Sequence, residues 1–227
     1  MRKAVFCLIG TLFVFAAIST AATIRTGVNA GNTVLAPGTT DPTWTISTDG
    51  GATFSSTKVL YPAQICCGME TVAGTAAWVS DPSIVDGNAA TAWGIDQMVY
   101  IRRTIDLTGF DLSTVALGGT WRIADWTMGI YLNGNLIPGT NIGKGDQGTQ
   151  GTWFSDHAFS VAAGSPFFVA GLNTLEFQAQ SINSVYDGIW FDGTLTGRQV
   201  GGDVPEPSSL LLLAGGVAAM ALKAHRR

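Results

Sequence analysis

Aromatic side chains close to carboxylates are the residues of this chain whose types and spacing could do chemistry. The chain has three such pairs: Asp125 with Trp126, Trp153 with Asp156, and Asp187 with Trp190. A pyranose ring has one fairly apolar face that stacks on an aromatic ring, and its hydroxyls bond to carboxylates. The pairs therefore predict a carbohydrate-binding surface. The alternative for each tryptophan is a place in the core or over a sheet.

Paired carboxylates could also hydrolyse a glycosidic bond. Such a reaction needs two carboxyl groups about 5–10 Å apart, one of them with a raised pKa, and Asp125 and Asp156 are the candidates. The sequence has no G-x-S-x-G, no H-E-x-x-H and no Gly-rich phosphate loop. We therefore expect a non-catalytic protein, with a small polysaccharide-acting hydrolase as the alternative.

A calcium site is the one metal site that the sequence suggests. Asp81, Asp86 and Asn88 lie within eight residues, and Ca²⁺ prefers oxygen ligands from such side chains. There is no twelve-residue EF-hand loop. The alternative is an Asx turn closed by Gly87, which the same residues also favour. No other cofactor is predicted.

Adjacent cysteines form a second unusual feature. Cys66 and Cys67 are the only cysteines beyond Cys7, and an even count in an oxidising compartment favours a disulfide. A bond between neighbours closes a strained ring. Two small residues at a buried turn, or a bond to another molecule, are the alternatives. Zinc is disfavoured because His157 and His225 lie far off in the sequence.

The start of the chain has the layout of a secretory signal peptide. The first three residues include the basic Arg2 and Lys3. Residues 4–18 are apolar apart from Gly10 and Thr11, and residues 19–22 have small side chains. We expect residues 1–22 to be a signal peptide that is cleaved after Ala21 or Ala22. Cys7 would leave with it.

The other end has three parts in order. Pro205, Glu206 and Pro207 precede an apolar run of 13 residues, 210–222, and the chain ends on a basic cluster at 223–227. A membrane-spanning helix needs about 20 apolar residues, so the run is short for a permanent anchor. The basic end favours the cytoplasmic side of a membrane. The run predicts an apolar helix, and the prolines predict an extended peptide before it.

Charge excludes one class of partner. The two ends take five of the 12 basic residues and one of the 16 acidic ones, which leaves seven against 15. Nucleic acid would need a basic patch. We therefore exclude nucleic acid as a partner.

The middle of the chain, residues 23–197, predicts a single all-β domain, a β-sandwich, followed by a linker at 198–204. The 29 glycines punctuate short alternating runs. The predicted strands are 44–47, 58–61, 76–80, 98–107, 115–123, 128–132, 153–161, 172–180 and 188–195. Asn133-Gly134 predicts a hairpin. Arg103 interrupts an inward-facing set, so we expect it near an edge or paired with an acid, and Trp190 should face away from Ile189 and Phe191.

Residues 204–227 resemble the PEP-CTERM sorting signal, in which Pro-Glu-Pro is followed by an apolar segment and a basic terminus. The resemblance implies processing by an exosortase-type transpeptidase in a Gram-negative-type bacterium that makes exopolysaccharide. Pro205, Glu206 and Pro207 would form the recognition motif. The apolar helix would hold the protein transiently at the inner membrane.

The domain resembles bacterial galactose-binding-like jelly rolls. The segments that carry this resemblance are 100–111, 130–135 (IYLNGN), 171–177 (GLNTLEF) and 188–197. The fragment Asp86-Gly87-Asn88, with Thr91 and Trp93, is similar to the discoidin-type branch, although the rest of that motif set is missing. The resemblance implies a jelly-roll fold. It also implies an exported surface or matrix protein that contacts extracellular polysaccharide, with a purely structural or adhesive biofilm protein as the alternative.

Overall fold

The computed structural model describes residues 19–66, 69, 74–87, 93–124, 126–143, 152–181 and 186–200. These residues form strands and one short 3-10 turn, Pro62–Gln64. The strands are β1 Ser19–Arg25, β2 Thr40–Ser47, β3 Ser55–Val59, β4 Val79–Ser80, β5 Met98–Asp106, β6 Phe110–Ala124, β7 Trp126–Leu132, β8 Asn135–Leu136, β9 His157–Val161, β10 Leu172–Gln180 and β11 Gly188–Gln199. The all-β prediction is confirmed.

One hydrogen-bonded sheet contains all eleven strands. Its order is β8-β7-β10-β5-β2-β3-β4-β11-β6-β9, and β1 pairs with β11 on the same edge as β4. Every strand pair in the described residues is antiparallel. Antiparallel pairing explains why the strands read as alternating runs, since one face packs inward and the other faces outward.

The sheet curls back on itself, and the main core lies inside the curl. Four strands separate β10 from β11 in the sheet order, yet the ring centroids of Phe177 on β10 and Phe191 on β11 lie 5.3 Å from each other. Trp44 of β2 contacts both rings edge-on, at 5.6 and 5.8 Å. The two halves of the sheet therefore face each other as a sandwich does. The galactose-binding-like jelly roll stays a prediction.

Strand β5 shows the alternation that the sequence predicts. Val99, Ile101 and Ile105 are buried in the main core. Arg103 shares their side of the strand and is half-buried, and burial lowers its pKa while the charge of Asp41 raises it. Its Nη1 donates to the carbonyl oxygen of Arg25 at 3.2 Å. Arg103 thus lies on an interior strand and makes no ion pair with an acid among the described residues, so neither alternative expected for it is found.

The Asn133-Gly134 hairpin is confirmed. The φ angles are +52° at Asn133 and +77° at Gly134, and Leu132 pairs with Asn135 across the turn. Positive φ at both central residues is the signature of a type I′ turn, whose twist matches that of the flanking strands.

Several boundaries differ from the predicted ones. The segment predicted as strand 76–80 is strand only at β4. Ala77 donates its N–H to the carbonyl of Thr26, and Trp78 accepts from the N–H of Leu60, so these residues do not form a regular ladder with one partner strand. The predicted strand 153–161 begins only at His157. Strand β11 continues to Gln199, so the first two residues of the predicted linker are paired.

Strand β1 was not predicted, because residues 19–22 have the composition of a cleavage region. Its residues pair with β11 from Ser19 opposite Arg198 to Arg25 opposite Asp192. The anchoring side chains lie in its second half: Ile24 is buried, and Arg25 Nε donates to Asp192 Oδ1 at 2.7 Å. The signal-peptide boundary at residue 22 stays a prediction, and residues 1–18 lie outside the described part.

Candidate functional site

Trp190 faces away from Ile189 and Phe191, as predicted, but it is not exposed. Its side chain is only 1% accessible and belongs to a second core on the outer face of β11. The other buried members of this core are Leu60, Met69, Ala76, Trp78, Val85 and Ala124. The irregular chain between β3 and β5 supplies most of these residues and covers this face. The expectation that Trp190 offers a ring for sugar stacking is therefore wrong.

The other two tryptophans are also held by the core. Trp126 is buried in β7, and Trp153 is half-buried against the second core. Asp125 lies outside the described residues, so its predicted pairing with Trp126 is not described. A stacking platform needs an exposed ring face, and only Trp153 retains part of one.

Asp187 is a structural anchor. The carboxylate is fully buried, and Oδ2 accepts the backbone N–H of Trp93 at 2.7 Å and the hydroxyl of Ser181 at 2.9 Å. These bonds tie the chain before β5 and the chain after β10 to the start of β11. Since its oxygens face the interior, the expectation that Asp187 receives sugar hydroxyls is wrong.

Asp156 is bound by an arginine that sequence reasoning missed. Arg122 Nε donates to Asp156 Oδ1 at 2.7 Å, with the arginine side chain 6% and the aspartate 49% accessible. Arg122 Nη1 also donates to the carbonyl oxygens of Trp153 and Phe154. The signal that could have found it is a charge between two inward residues, Trp121 and Ile123. Arg122 thus fastens the segment before β9 to β6.

His157, the first residue of β9, stacks on Trp121 with ring centroids 4.7 Å apart. Its side chain is half-buried. The stack continues the contact between β6 and β9. A catalytic pairing of Asp125 with Asp156 stays a prediction, because Asp125 is not described.

Asp81 closes a local turn. Oδ1 accepts both the backbone N–H and the hydroxyl of Ser83, at 2.7 and 2.5 Å, which is the Asx-turn arrangement across Pro82. Asp86 is exposed, and Asn88 lies outside the described residues. Within the described ranges, no three His, Cys, Asp or Glu side chains lie close enough to hold a metal ion. The calcium site stays a prediction.

Cys66 is disulfide-bonded. Cys67 and Cys7 both lie outside the described residues, so the Cys66–Cys67 bond stays a prediction.

The two ends of the described chain emerge side by side. Ser19, the first described residue, pairs with Arg198. Val200, the last, donates its N–H to the carbonyl of Gly109 at 2.7 Å. The predicted leader and the predicted sorting signal therefore join the domain at the same end of adjacent strands. The ion pair of Asp111 with Arg198 lies at this end. The hydroxyl of Ser113 is the main cause that lowers the pKa of Asp111, and the hydrogen bond from Arg198 is the second.

The tail itself, residues 201–227, lies outside the described part of the chain. In the residues that are described, no helix has the length and apolar character to cross a membrane. The predicted C-terminal helix therefore stays a prediction.

Comparison with known proteins identifies the tail. Residues 203–227 match the model of the PEP-CTERM protein-sorting motif. No curated protein matches the chain. The sorting signal predicted at 204–227 is thus confirmed, and the recognition roles of Pro205, Glu206 and Pro207 stay predictions. The chain carries a PEP-CTERM protein-sorting motif, the mark of an exported, envelope-targeted protein that an exosortase processes.

Proposed function

We propose that this chain is an exported, non-catalytic structural protein of the cell surface or extracellular matrix of a Gram-negative-type bacterium. Its single β domain is delivered by the signal peptide and then released or attached by an exosortase at the sorting motif. The match at residues 203–227 supports the proposal, and it begins three residues after Val200, the last residue that the structure describes.

The chemistry of the tail supports this order of events. The 13-residue apolar run enters the inner membrane, and the basic residues that follow it stay on the cytoplasmic side. The domain then stands outside, with Pro205–Pro207 in an extended peptide that a processing enzyme can grip. A short run is suited to a temporary hold.

A structural or adhesive role is favoured over polysaccharide binding. Two of the three tryptophans expected to stack on sugars are buried, and the acid paired with one of them, Asp187, bonds to the interior. In the remaining pair, Trp153 is half-buried and its backbone carbonyl accepts from Arg122, and the exposed Asp156 is ion-paired with Arg122. What the domain offers to its surroundings is a stable, acidic β scaffold.

Replacement of Pro205, Glu206 and Pro207 by alanine tests the proposal. We expect the variant to accumulate in the inner-membrane fraction of the producing bacterium, while the unaltered protein reaches the surface or medium. The matched control replaces Gly201 and Gly202 by alanine, two residues that precede the matched segment, and should be exported normally. Normal export of the motif variant would refute exosortase processing.

A glycan array separates the structural role from the polysaccharide-binding one. The purified mature protein, with and without Ca²⁺, should bind no glycan. Binding that Trp153→Ala abolishes would instead establish a sugar site at that residue.

A further inference from the structure

Three loops or strand ends meet where the chain enters and leaves the domain. The turn between β5 and β6 bonds to the end of β11 through Val200 N–H and Gly109 O, and to the segment before β10 through Leu107 N–H and Gly171 O at 2.8 Å. Ser19 of β1 lies beside Arg198. We call this end of the domain, formed by Ser19 and residues 107–113, 162–172 and 198–200, the terminal pole.

The terminal pole carries exposed aliphatic side chains. Val169, Leu172 and Val200 are exposed, and Leu172 is 69% accessible. The remaining large exposed hydrophobic residues of the described ranges lie elsewhere: Val34, Ile95 and Leu136. Single exposed apolar residues need no explanation, but here three of them surround the place where both membrane-directed segments begin.

Charges at the pole are already neutralised or bonded. Asp111 pairs with Arg198, and Asp106, which adjoins the pole, accepts the backbone N–H and hydroxyl of Thr108. No lysine lies in the ranges that form the pole. Anionic lipid would need a basic cluster, so a lipid surface in contact with this pole would be held by its apolar side chains.

We propose that the terminal pole rests on the phospholipid surface of the inner membrane while the tail is inserted. This inference rests on the proposed function, because it requires the apolar tail to enter the membrane. The partner is the zwitterionic headgroup and upper acyl region of the bilayer, into which Val169, Leu172 and Val200 insert.

The length of the connecting segment supports this orientation. Nine residues, 201–209, separate Val200 from the apolar run, and an extended segment of that length spans at most about 30 Å. A short tether gives the pole a high effective concentration at the membrane, so three aliphatic side chains suffice for contact.

A matched pair of tryptophan variants tests the orientation. Leu172 and Ile95 are each 69% accessible. They lie at opposite ends of β5. Leu172 pairs with Asp106, the last residue of β5, whereas Ile95 precedes Met98, the first residue of β5. Asp96, the neighbour of Ile95, donates its N–H to the carbonyl of Ser181 at that end. The full chain carrying Leu172→Trp or Ile95→Trp is reconstituted into phosphatidylcholine vesicles with or without brominated acyl chains, which quench nearby tryptophan emission.

The emission added by Leu172→Trp should fall roughly two-fold with brominated lipid, since interfacial side chains lie about 5–10 Å deep at the acyl boundary. The emission added by Ile95→Trp should be unchanged. Vesicle flotation is measured in parallel. A chain that floats but shows equal quenching at both positions, or none at either, overturns the orientation and leaves tail insertion intact. A chain that does not float overturns both.

Discussion

Trp190 illustrates how the same residue fits a surface role in the sequence and a core role in the structure. Because side chains alternate along a strand, Trp190 points to the face of β11 opposite that of Phe191. A strand with one face in the main core normally exposes the other face. Here the chain between β3 and β5 covers that second face with Leu60, Met69 and Trp78. Parity could be derived from the sequence, whereas the cover could not, because irregular chain has no periodicity.

Replacement of Trp190 by alanine should therefore lower the free energy of unfolding by about 3–5 kcal/mol, the usual cost of emptying a buried aromatic site. Urea titration of the mature protein measures it. Leu136→Ala, on the exposed strand β8, should change stability by less than about 0.5 kcal/mol. A Trp190→Ala protein of normal stability would show that this tryptophan is not a core residue.

Acid should destabilise the domain through three hydroxyl-bonded aspartates. Asp49, Asp106 and Asp111 have pKa values below their ordinary one. The largest cause in each case is a hydroxyl that donates to the carboxylate: Ser47, Thr108 and Ser113, respectively. Because the folded-state pKa is lowered, the stabilisation is complete above the unfolded value near 3.8 and is lost as the pH falls through the folded values.

Removal of one donor isolates this effect. Ser113→Ala should reduce the difference in unfolding free energy between pH 7 and pH 2, measured by urea titration at each pH. Ser160→Ala, an exposed serine on β9, should keep the full difference. Equal pH dependence in the two variants would mean that Ser113 does not stabilise the Asp111 carboxylate.

At the scale of elements, strands β6 and β11 approach each other closely at Gly119. A Cβ added to Gly119 would meet the carbonyl oxygen of Asp192 at 2.5 Å and Cα of Gly193 at 2.6 Å. The neighbouring Gly118 has its nearest such contact at 3.5 Å, an ordinary van der Waals distance. The sequence shows two adjacent glycines, but only the paired backbone reveals that one of them is required.

Gly119→Ala should cost about 1–3 kcal/mol, because the clash is with backbone that must shift. Gly118→Ala should be tolerated and is the matched control. Thermal unfolding of both variants compares them directly. Equal melting temperatures would contradict the close pairing of β6 with β11.

The strands themselves could be predicted to the extent that their signals are local. The alternation of β5 and the Asn-Gly turn after β7 depend on neighbouring residues, and both are confirmed. Strand β1 was missed because Ser19–Ala22 also fits a cleavage region, and it is a strand only through pairing with β11, more than 160 residues away. The sheet order depends on such distant pairings, so it could not be derived from the pattern of runs.

For the whole molecule, export information is contained in short linear segments and was therefore predictable. The tail combines a motif, an apolar run and a basic end in an order that requires no tertiary structure, and the match at 203–227 confirms it. A sugar-binding role for the tryptophan–aspartate pairs requires that both side chains of a pair are exposed on one surface. That exposure depends on the complete fold, so it could not be predicted from the spacing of the residues. The structure places both ends of the domain at the terminal pole, a geometry that no linear pattern contains.

The intact mass of the exported protein tests the central claim most directly. The protein is purified from the surface or medium of its producing bacterium, and its mass is compared with that of the same chain from a strain lacking the exosortase. The account predicts an exported form that begins near Thr23 and lacks residues 210–227, and a membrane-bound form that retains them when the exosortase is absent. Retention of residues 210–227 in the exported protein would contradict it.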